Sequence, residues 1–530
     1  MSIFEPGSAA RIVSVGTASI PDPEAGQLGE GEIGAAGHPV LERSWLIALG
    51  LSVPLALALY LLHAHGGTSA SLLAVAMVLA AGVGFCRLLG LTQGVAFLLL
   101  ITALLDRYTL QVHGVDLRGE LVAVVTAGAV LVFPSLKAGR LPRSLIPRPE
   151  EWVLAGWLAV NLVSSLLFAP HKSTSLKLVL LLTVLAAGAY IMRRLIDNRA
   201  DLERLWTVFL VMLMGVAGFG LVAYALYYFG ITVGASINPA NGQPAAFSTL
   251  WEPNVFGAFS AYGALMWAFI GSRYFSQRWS MVGLGICLAA AAVSFTRSVW
   301  VAIVIFAIVI GATALRRRVQ LPTLAGGGLI AFVLLMGVWG LTAVAGTPTH
   351  RGQSAGGPTI SAPSAPGVTA PGAADPSQTG ITGSLSKLVV RMENTVDVLG
   401  RVDQFNRVGA HFRGLKSFLL GTGTGSYGQY YMYRGQPEWI ASLPLRLVND
   451  TGVAGLLVFG AFGLAVARRA WLRRRDPLVV ASGVACLLFA VVNISTEMLE
   501  LMVSWVVLGL LLIAIDVTPG GPTESTLYPK

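Results

Sequence analysis

Fourteen apolar runs, each near the length needed to cross a bilayer, follow one another along this chain and restrict its fold more than any other feature. About 20 apolar residues span the roughly 30 Å of membrane hydrocarbon as a helix. No water is present there to satisfy a loose N–H or C=O, so only helices or closed barrels cross. The runs are continuous rather than alternating, which predicts helices. Their cores fall at 44–62, 70–85, 89–105, 118–134, 152–168, 175–192, 206–229, 255–271, 280–295, 298–315, 324–345, 446–467, 478–494 and 500–516. Of the 530 residues, 55% are hydrophobic and only 12% charged, where a soluble domain carries about 25% charged residues. The charges are clumped between the runs. The expected fold is therefore all-α, a polytopic membrane helix bundle.

The net charge of +10 is carried in short connectors. Alternate connectors are rich in Lys and Arg: Arg87; Lys137, Arg140, Arg143 and Arg148; Arg193, Arg194, Arg199 and Arg204; Arg273 and Arg278; Arg316–Arg318; and Arg468–Arg475. The intervening connectors around 64–69, 230–250 and 494–500 have none. By the positive-inside rule the basic set is cytoplasmic. This predicts a bacterial inner-membrane protein with fourteen crossings and both termini inside. Basic residues used in this way orient spans, and no basic stripe interleaved with aromatics points to nucleic acid.

Residues 1–40 have no apolar core and read as a disordered cytoplasmic tail, followed by spans 1–11 over 41–345. Residues 346–444 form one long extracytoplasmic loop, spans 12–14 follow at 445–517, and 518–530 is a second tail. Within the loop, 347–378 is rich in Pro, Gly, Ala, Ser and Thr and is expected to be flexible. Residues 384–414 read as surface helices. One apolar stripe runs through Leu385, Leu388, Met392, Val396 and Leu399, and a second through Val402, Phe405, Val408 and Phe412. Gly400 is expected to kink the helix between them. Gln404, Arg407 and His411 form a polar stripe on the second helix.

Cys86, Cys287 and Cys486 lie in or beside apolar runs, with neither zinc spacing nor a disulfide pattern. The His residues are scattered, and no nucleotide motif is present. Neither metal nor cofactor is therefore expected.

Four features near the extracytoplasmic face could carry chemistry. In Trp251-Glu252-Pro253-Asn254, Glu252 and Asn254 sit at the lip of a span, as a helix cap or as a sugar-binding or general-base element. In Ser294-Phe295-Thr296-Arg297-Ser298, two runs meet with almost no connector. Arg297 there either snorkels to headgroups or faces an anion. Arg401, Arg407 and His411 are a solvated face or a ligand-facing one. Asn449-Asp450-Thr451-Gly452 is a tightly packed helix entry or a site element. Between the last two lies Leu420-Gly-Thr-Gly-Thr-Gly-Ser426, which reads either as a flexible turn or as a backbone nest for a phosphate or sugar. Within spans, Asn161 and Asn493 read as helix–helix hydrogen-bonding residues.

The order of these features resembles the O-antigen ligase and polymerase superfamily of bacterial membrane glycosyltransferases. The Pro-Asn-x-x-Gly element is Pro253–Gly257, and the Thr-Arg element is Thr296-Arg297-Ser298. An Arg before an aromatic is Arg401 with Phe405, a Leu-Gly-x-Gly turn is Leu420–Gly423, and an acid before Gly-x-x-Gly is Asp450 before Gly452 and Gly455. The resemblance covers roughly 200–515. One departure stands out. Ligases carry a His-Asn pair shortly before the glycine matching Gly452, where this chain has Ile440 and Ala441. The nearest polar residues are Glu438 and Ser442.

The resemblance implies a GT-C-like bundle acting on glycans linked to undecaprenyl pyrophosphate. Arg297 and Arg401, then Arg407 and Asn254, are the implied substrate contacts. Glu252, His411 and Asp450 are the implied base or orienting groups. A glycan or lipid acceptor, membrane lipids, and polysaccharide export or chain-length proteins are the implied partners. The missing His tilts the expectation towards a polymerase. A transporter or flippase of lipid-linked glycans is the competing class, although no internal repeat is evident. A non-catalytic assembly scaffold is a third reading.

Overall fold

The computed structural model describes residues 42–65, 68–105, 109–112, 115–137, 147–238, 243–250, 252–315, 321–345, 396–412, 414–433, 436–494 and 496–518. The predicted tails (save Thr518), the stretch 347–378 and the first loop stripe up to residue 395 lie outside them.

The described chain is mostly helical. Its helices are α1 (Arg43–His65), α2 (Thr68–Leu89), α3 (Leu91–Leu104), α4 (Gly119–Lys137), α5 (Pro149–Phe168), α6 (Lys172–Leu195), α7 (Arg199–Tyr227), α8 (Pro253–Met266), α9 (Gln277–Val293), α10 (Arg297–Leu315), α11 (Leu321–Ala345), α12 (Val396–His411), α13 (Leu415–Leu420), α14 (Leu443–Leu472), α15 (Pro477–Asn493) and α16 (Met502–Val517). A π-helical turn extends α8 through Trp267–Gly271. Seven helical segments are long and apolar enough to cross a membrane: Ser69–Leu89, Pro149–Phe168, Lys172–Leu195, Arg199–Tyr227, Pro253–Tyr274, Leu321–Gly340 and Leu443–Leu472. Shorter apolar helices lie at Arg43–Leu59, Leu91–Leu104, Gly119–Val132, Gln277–Val293, Pro477–Asn493 and Met502–Val517. These elements fit a multi-pass membrane protein.

Local chemistry sets the helix starts. Pro stands in the first turn of α5, α8, α14 and α15, where its missing N–H costs nothing. Asn198 caps α7 and Asp476 caps α15 through their side chains. The helices differ in what surrounds them. On α2, α10 and α11, Leu72, Leu73, Val304, Ile308, Leu329 and Phe332 face outwards, a surface suited to lipid rather than water. Helix α8 is instead buried at every position from Val255 to Met266. It is the central post of the bundle, packed by α7, α9, α10 and α15.

Polar ties sort the connectors into two ends. At the basic end, Arg193 bonds Glu150 (2.8 Å), Glu151 (2.6 Å) and Asp516 (2.6 Å). Arg469 joins Glu150 and Asp516, Arg199 pairs with Asp476, and Arg273 with Glu203. At the other end, Thr249 bonds the Leu104 carbonyl, Arg118 the Glu500 carbonyl and Thr296 the Pro253 carbonyl. Three small antiparallel hairpins sit in connectors of that second set: β1–β2 (Thr109–Val112, Val115–Arg118), β3–β4 (Ala235–Asn238, Gln243–Ala246) and β5–β6 (Met432–Tyr433, Gln436–Pro437). No strand is expected from the sequence. These are hairpins too short to leave a periodic signal.

Two local expectations change. Helix α12 runs through Gly400 without a break; an interior glycine costs about 1 kcal/mol relative to alanine but does not by itself end a helix. And α14 carries its kink at Gly452, with φ 65° and ψ −168°.

Candidate functional site at the hairpin end

The tip of α8 meets the α9–α10 turn. Thr296 Oγ1 donates to the Pro253 carbonyl at 3.2 Å. Gly257 packs so closely on Ser294 that a Cβ would lie 2.3 Å from its Oγ. The Pro253–Gly257 and Thr296–Ser298 segments are therefore one packed unit. Phe295 takes a left-handed backbone, φ 51°, in the turn, a conformation costing a non-glycine residue about 1–3 kcal/mol. Arg297 opens α10 and is half-buried. It lines neither of the two cavities described below.

Glu252 occupies the N-cap position of α8, yet its side chain caps nothing. It opens instead into a cavity of about 480 Å³ with Asn254, Arg118, Trp439, Ile440, Ala441, Thr496, Glu497 and Glu500. The residue is exposed on the cavity side. Partial desolvation by the protein around it pushes its pKa up, against a hydrogen bond from Asn254 that lowers it. Ile440 and Ala441, where the ligase pattern has His-Asn, are part of this wall.

Two acids of this wall belong to an ion cluster that sequence reasoning missed. Arg446, on the first turn of α14, pairs with Asp450 (3.2 Å), Glu497 (2.6 Å) and Glu500. Burial raises the Glu497 pKa; Arg446 opposes that and the neighbouring Glu500 adds to it. The i,i+4 spacing of Arg446 and Asp450 was a legible signal. Asn493 bonds near its own helix end rather than across to another helix: its Nδ2 donates to the Phe489 carbonyl at 2.7 Å and its Oδ1 accepts from Met498 N at 3.0 Å.

Asp450 is buried and lines neither cavity. Its Oδ1 accepts from Asn449 Nδ2 at 2.9 Å, and Asn449 Oδ1 lies 3.3 Å from His411 Nδ1. A continuous polar chain thus runs His411–Asn449–Asp450–Arg446–Glu497. His411 ends it in a second cavity of about 740 Å³, lined by Phe168, Ala410, Lys416, Ser417, Thr422, Tyr430 and Tyr431 among others.

The glycine-rich turn is neither a loose turn nor a nest. Thr422 N donates to the Asn449 carbonyl (2.8 Å), Gly423 N to the Asp450 carbonyl (3.2 Å) and Ser164 Oγ (3.0 Å), and Thr424 N to Ser165 Oγ (3.0 Å). A Cβ on Gly421 would lie 2.4 Å from the Asp450 carbonyl carbon, and one on Gly452 2.3 Å from the Leu419 oxygen. The glycines allow two backbones to touch, and the N–H groups that would cradle an anion are used in docking. Asn161 serves the same joint, accepting from Thr424 Oγ1 at 2.9 Å rather than from another span.

The polar stripe of α12 clasps Tyr431, Glu438 and Trp439. Gln404 donates to Glu438 and to the Trp439 carbonyl, both at 3.2 Å. Arg407 pairs with Glu438 (2.9 Å) and Asp403 (2.5 Å) and lies over the Tyr431 ring. Arg407 is thereby a clasp residue, held by protein carboxylates. Arg401 lies on α12, with its side chain outside the described residues. Among the described residues no group of three His, Cys, Asp or Glu could hold a metal ion. No family model, curated protein or solved structure matches this chain.

Proposed function

We propose that this protein is an extracytoplasmic membrane glycosyltransferase, of the O-antigen ligase and polymerase type, that moves or polymerises glycans carried on undecaprenyl pyrophosphate. On this reading the chain crosses the bacterial inner membrane fourteen times as a GT-C-like bundle, with both termini and the basic end cytoplasmic. The observation that supports it best is the Glu252–Asn254 cavity at the hairpin end. The Glu252 carboxyl, with its raised pKa, the Asn254 amide and the Arg118 guanidinium line it together.

Glu252 would take the proton of the acceptor hydroxyl as that oxygen attacks the anomeric carbon. The C–O bond to the lipid pyrophosphate breaks with retention of its electrons on the phosphate. Arginines offset the charge that develops on the leaving group. Arg297 and Arg401 are the contacts implied by resemblance, and Arg118 is the one suggested by the cavity. Asp450 and Asn449 would orient His411 and Arg446 rather than react.

A flippase of lipid-linked glycans is the second reading. Both cavities open among connectors of one end, which favours chemistry at one face over alternating access. The deciding experiment is deletion of the gene followed by analysis of surface polysaccharide and lipid-linked intermediates. Accumulated single repeat units indicate a polymerase and accumulated lipid-linked polymer a ligase. Intermediates trapped on the cytoplasmic leaflet would sink the transferase reading in favour of the flippase.

A further inference from the structure

We infer that the larger cavity, around His411 and Tyr430, is a binding subsite for a neutral saccharide, separate from the Glu252 cavity. This rests on the transferase reading only for the saccharide's role as acceptor or growing chain. The binding itself follows from the lining.

The cavity of about 740 Å³ lies within the range of ligand sites, roughly 300–1,000 Å³. Its wall is aromatic. The His411 ring lies 4.5 Å from that of Tyr430 and is stacked at 5.2 Å on Tyr431, which is 4.8 Å from Tyr427. Tyr430 is 49% exposed. A pyranose presents a face of C–H groups that stacks on such a ring and a rim of hydroxyls that needs donors and acceptors. Lys416 lines the cavity as a donor, and the Ser417 and Thr422 hydroxyls, which themselves donate to the Gly414 and Asn449 carbonyls, line it as acceptors.

An anionic ligand fits less well. The adjacent N–H groups of Thr422, Gly423 and Thr424 are spent on Asn449, Asp450, Ser164 and Ser165, so no backbone nest remains for a pyrophosphate. Lys416 is the one lysine or arginine among the described lining residues.

The test uses full-length protein in lipid nanodiscs. Saturation-transfer NMR would follow a panel of neutral oligosaccharides three to six hexoses long, with inorganic pyrophosphate as competitor. Binding of at least one panel member is expected. It should weaken about tenfold in Tyr430→Ala, the upper end of an aromatic contact's worth. It should weaken in Lys416→Ala and persist in Tyr430→Phe. No binding by any member, equal binding by Tyr430→Ala, or displacement by pyrophosphate would overturn the assignment. Transfer from a lipid-linked donor is assayed in parallel. Saccharide binding without transfer leaves the subsite standing and defeats the transferase reading. Transfer with unchanged KM for both the acceptor and the lipid-linked donor in Tyr430→Ala defeats the subsite alone.

Discussion

The Glu252 carboxyl stands at the tip of a buried helix, exposed on its cavity side, and the protein around it raises its pKa. Partial desolvation favours the neutral acid, so the group keeps its proton to a higher pH than an ordinary glutamate, whose pKa is about 4.3. A reaction that needs the ionised base must then gain rate as pH climbs through that raised value. The hydrogen bond from Asn254 works the other way, holding the pKa down. Asn254→Ala should therefore move the acid limb of kcat to still higher pH. Glu252→Gln should remove the limb and cost about 10²–10⁴ in rate. A pH–rate profile on a lipid-linked repeat unit checks both, and an unmoved limb in the Asn254 variant would assign the base elsewhere.

At the scale of elements, the joint between the glycine-rich turn and α14 is the feature that sequence most misrepresents. Glycines spaced as in Gly421, Gly423 and Gly425 look the same whether their N–H groups face a ligand or another backbone. What decides is the partner, Asn449–Gly452, and nothing local in the turn points to it. Glu497 and Glu500 were illegible for a related reason: two acids in a short connector acquire meaning only beside Arg446. The Pro253–Gly257 and Thr296–Ser298 segments were legible because proline, a short connector and an arginine at a span's end each have a local physical reading. The joint itself is testable. Gly421 has φ 80° and no room for a methyl. Gly421→Ala should destabilise by roughly 2–5 kcal/mol, combining left-handed strain with overpacking. Gly460, on the same α14, has open space around it, so Gly460→Ala should be neutral or slightly stabilising. Thermal unfolding in detergent compares them, and equal melting would mean that the turn is not docked.

For the whole molecule, the basic end is a fastening as well as a signal of orientation. Arg193 has no exposed side-chain surface and joins α6 to Glu150 and Glu151 of α5 and to Asp516 of α16. Arg469 of α14 shares two of those carboxylates. Breaking a buried pair by removing one partner typically costs about 3–5 kcal/mol, because the other charge is left without compensation. Arg193→Met should lower the melting temperature of the purified protein without touching the distant cavities. A melting curve matching that of the natural chain would show that the neighbouring arginines suffice.

The assignment of ends to sides of the membrane gives the last prediction. Basic connectors remain in the cytoplasm during insertion, and the ties described here gather those of Arg148, Arg193, Arg199, Arg273 and Arg469 at one end. Two exposed residues report on the two ends. Ser276 precedes α9 between Arg273 and Arg278, and its side chain caps nothing. Ser173 lies exposed in the first turn of α6, whose start is tied to the hairpin end where the His171 N–H donates to Gln429 at 2.9 Å. The natural thiols Cys86, Cys287 and Cys486 would first be replaced by serine or alanine. Ser173→Cys should then react with a membrane-impermeant maleimide in cells whose outer envelope admits it, and Ser276→Cys only after the inner membrane is lysed. A site that acts on outer-leaflet substrates must lie on the side where the residue-173 thiol is labelled. The reverse pattern would put Glu252 and His411 in the cytoplasm, where exported lipid-linked glycans cannot reach them, and the transferase reading would fall with the topology.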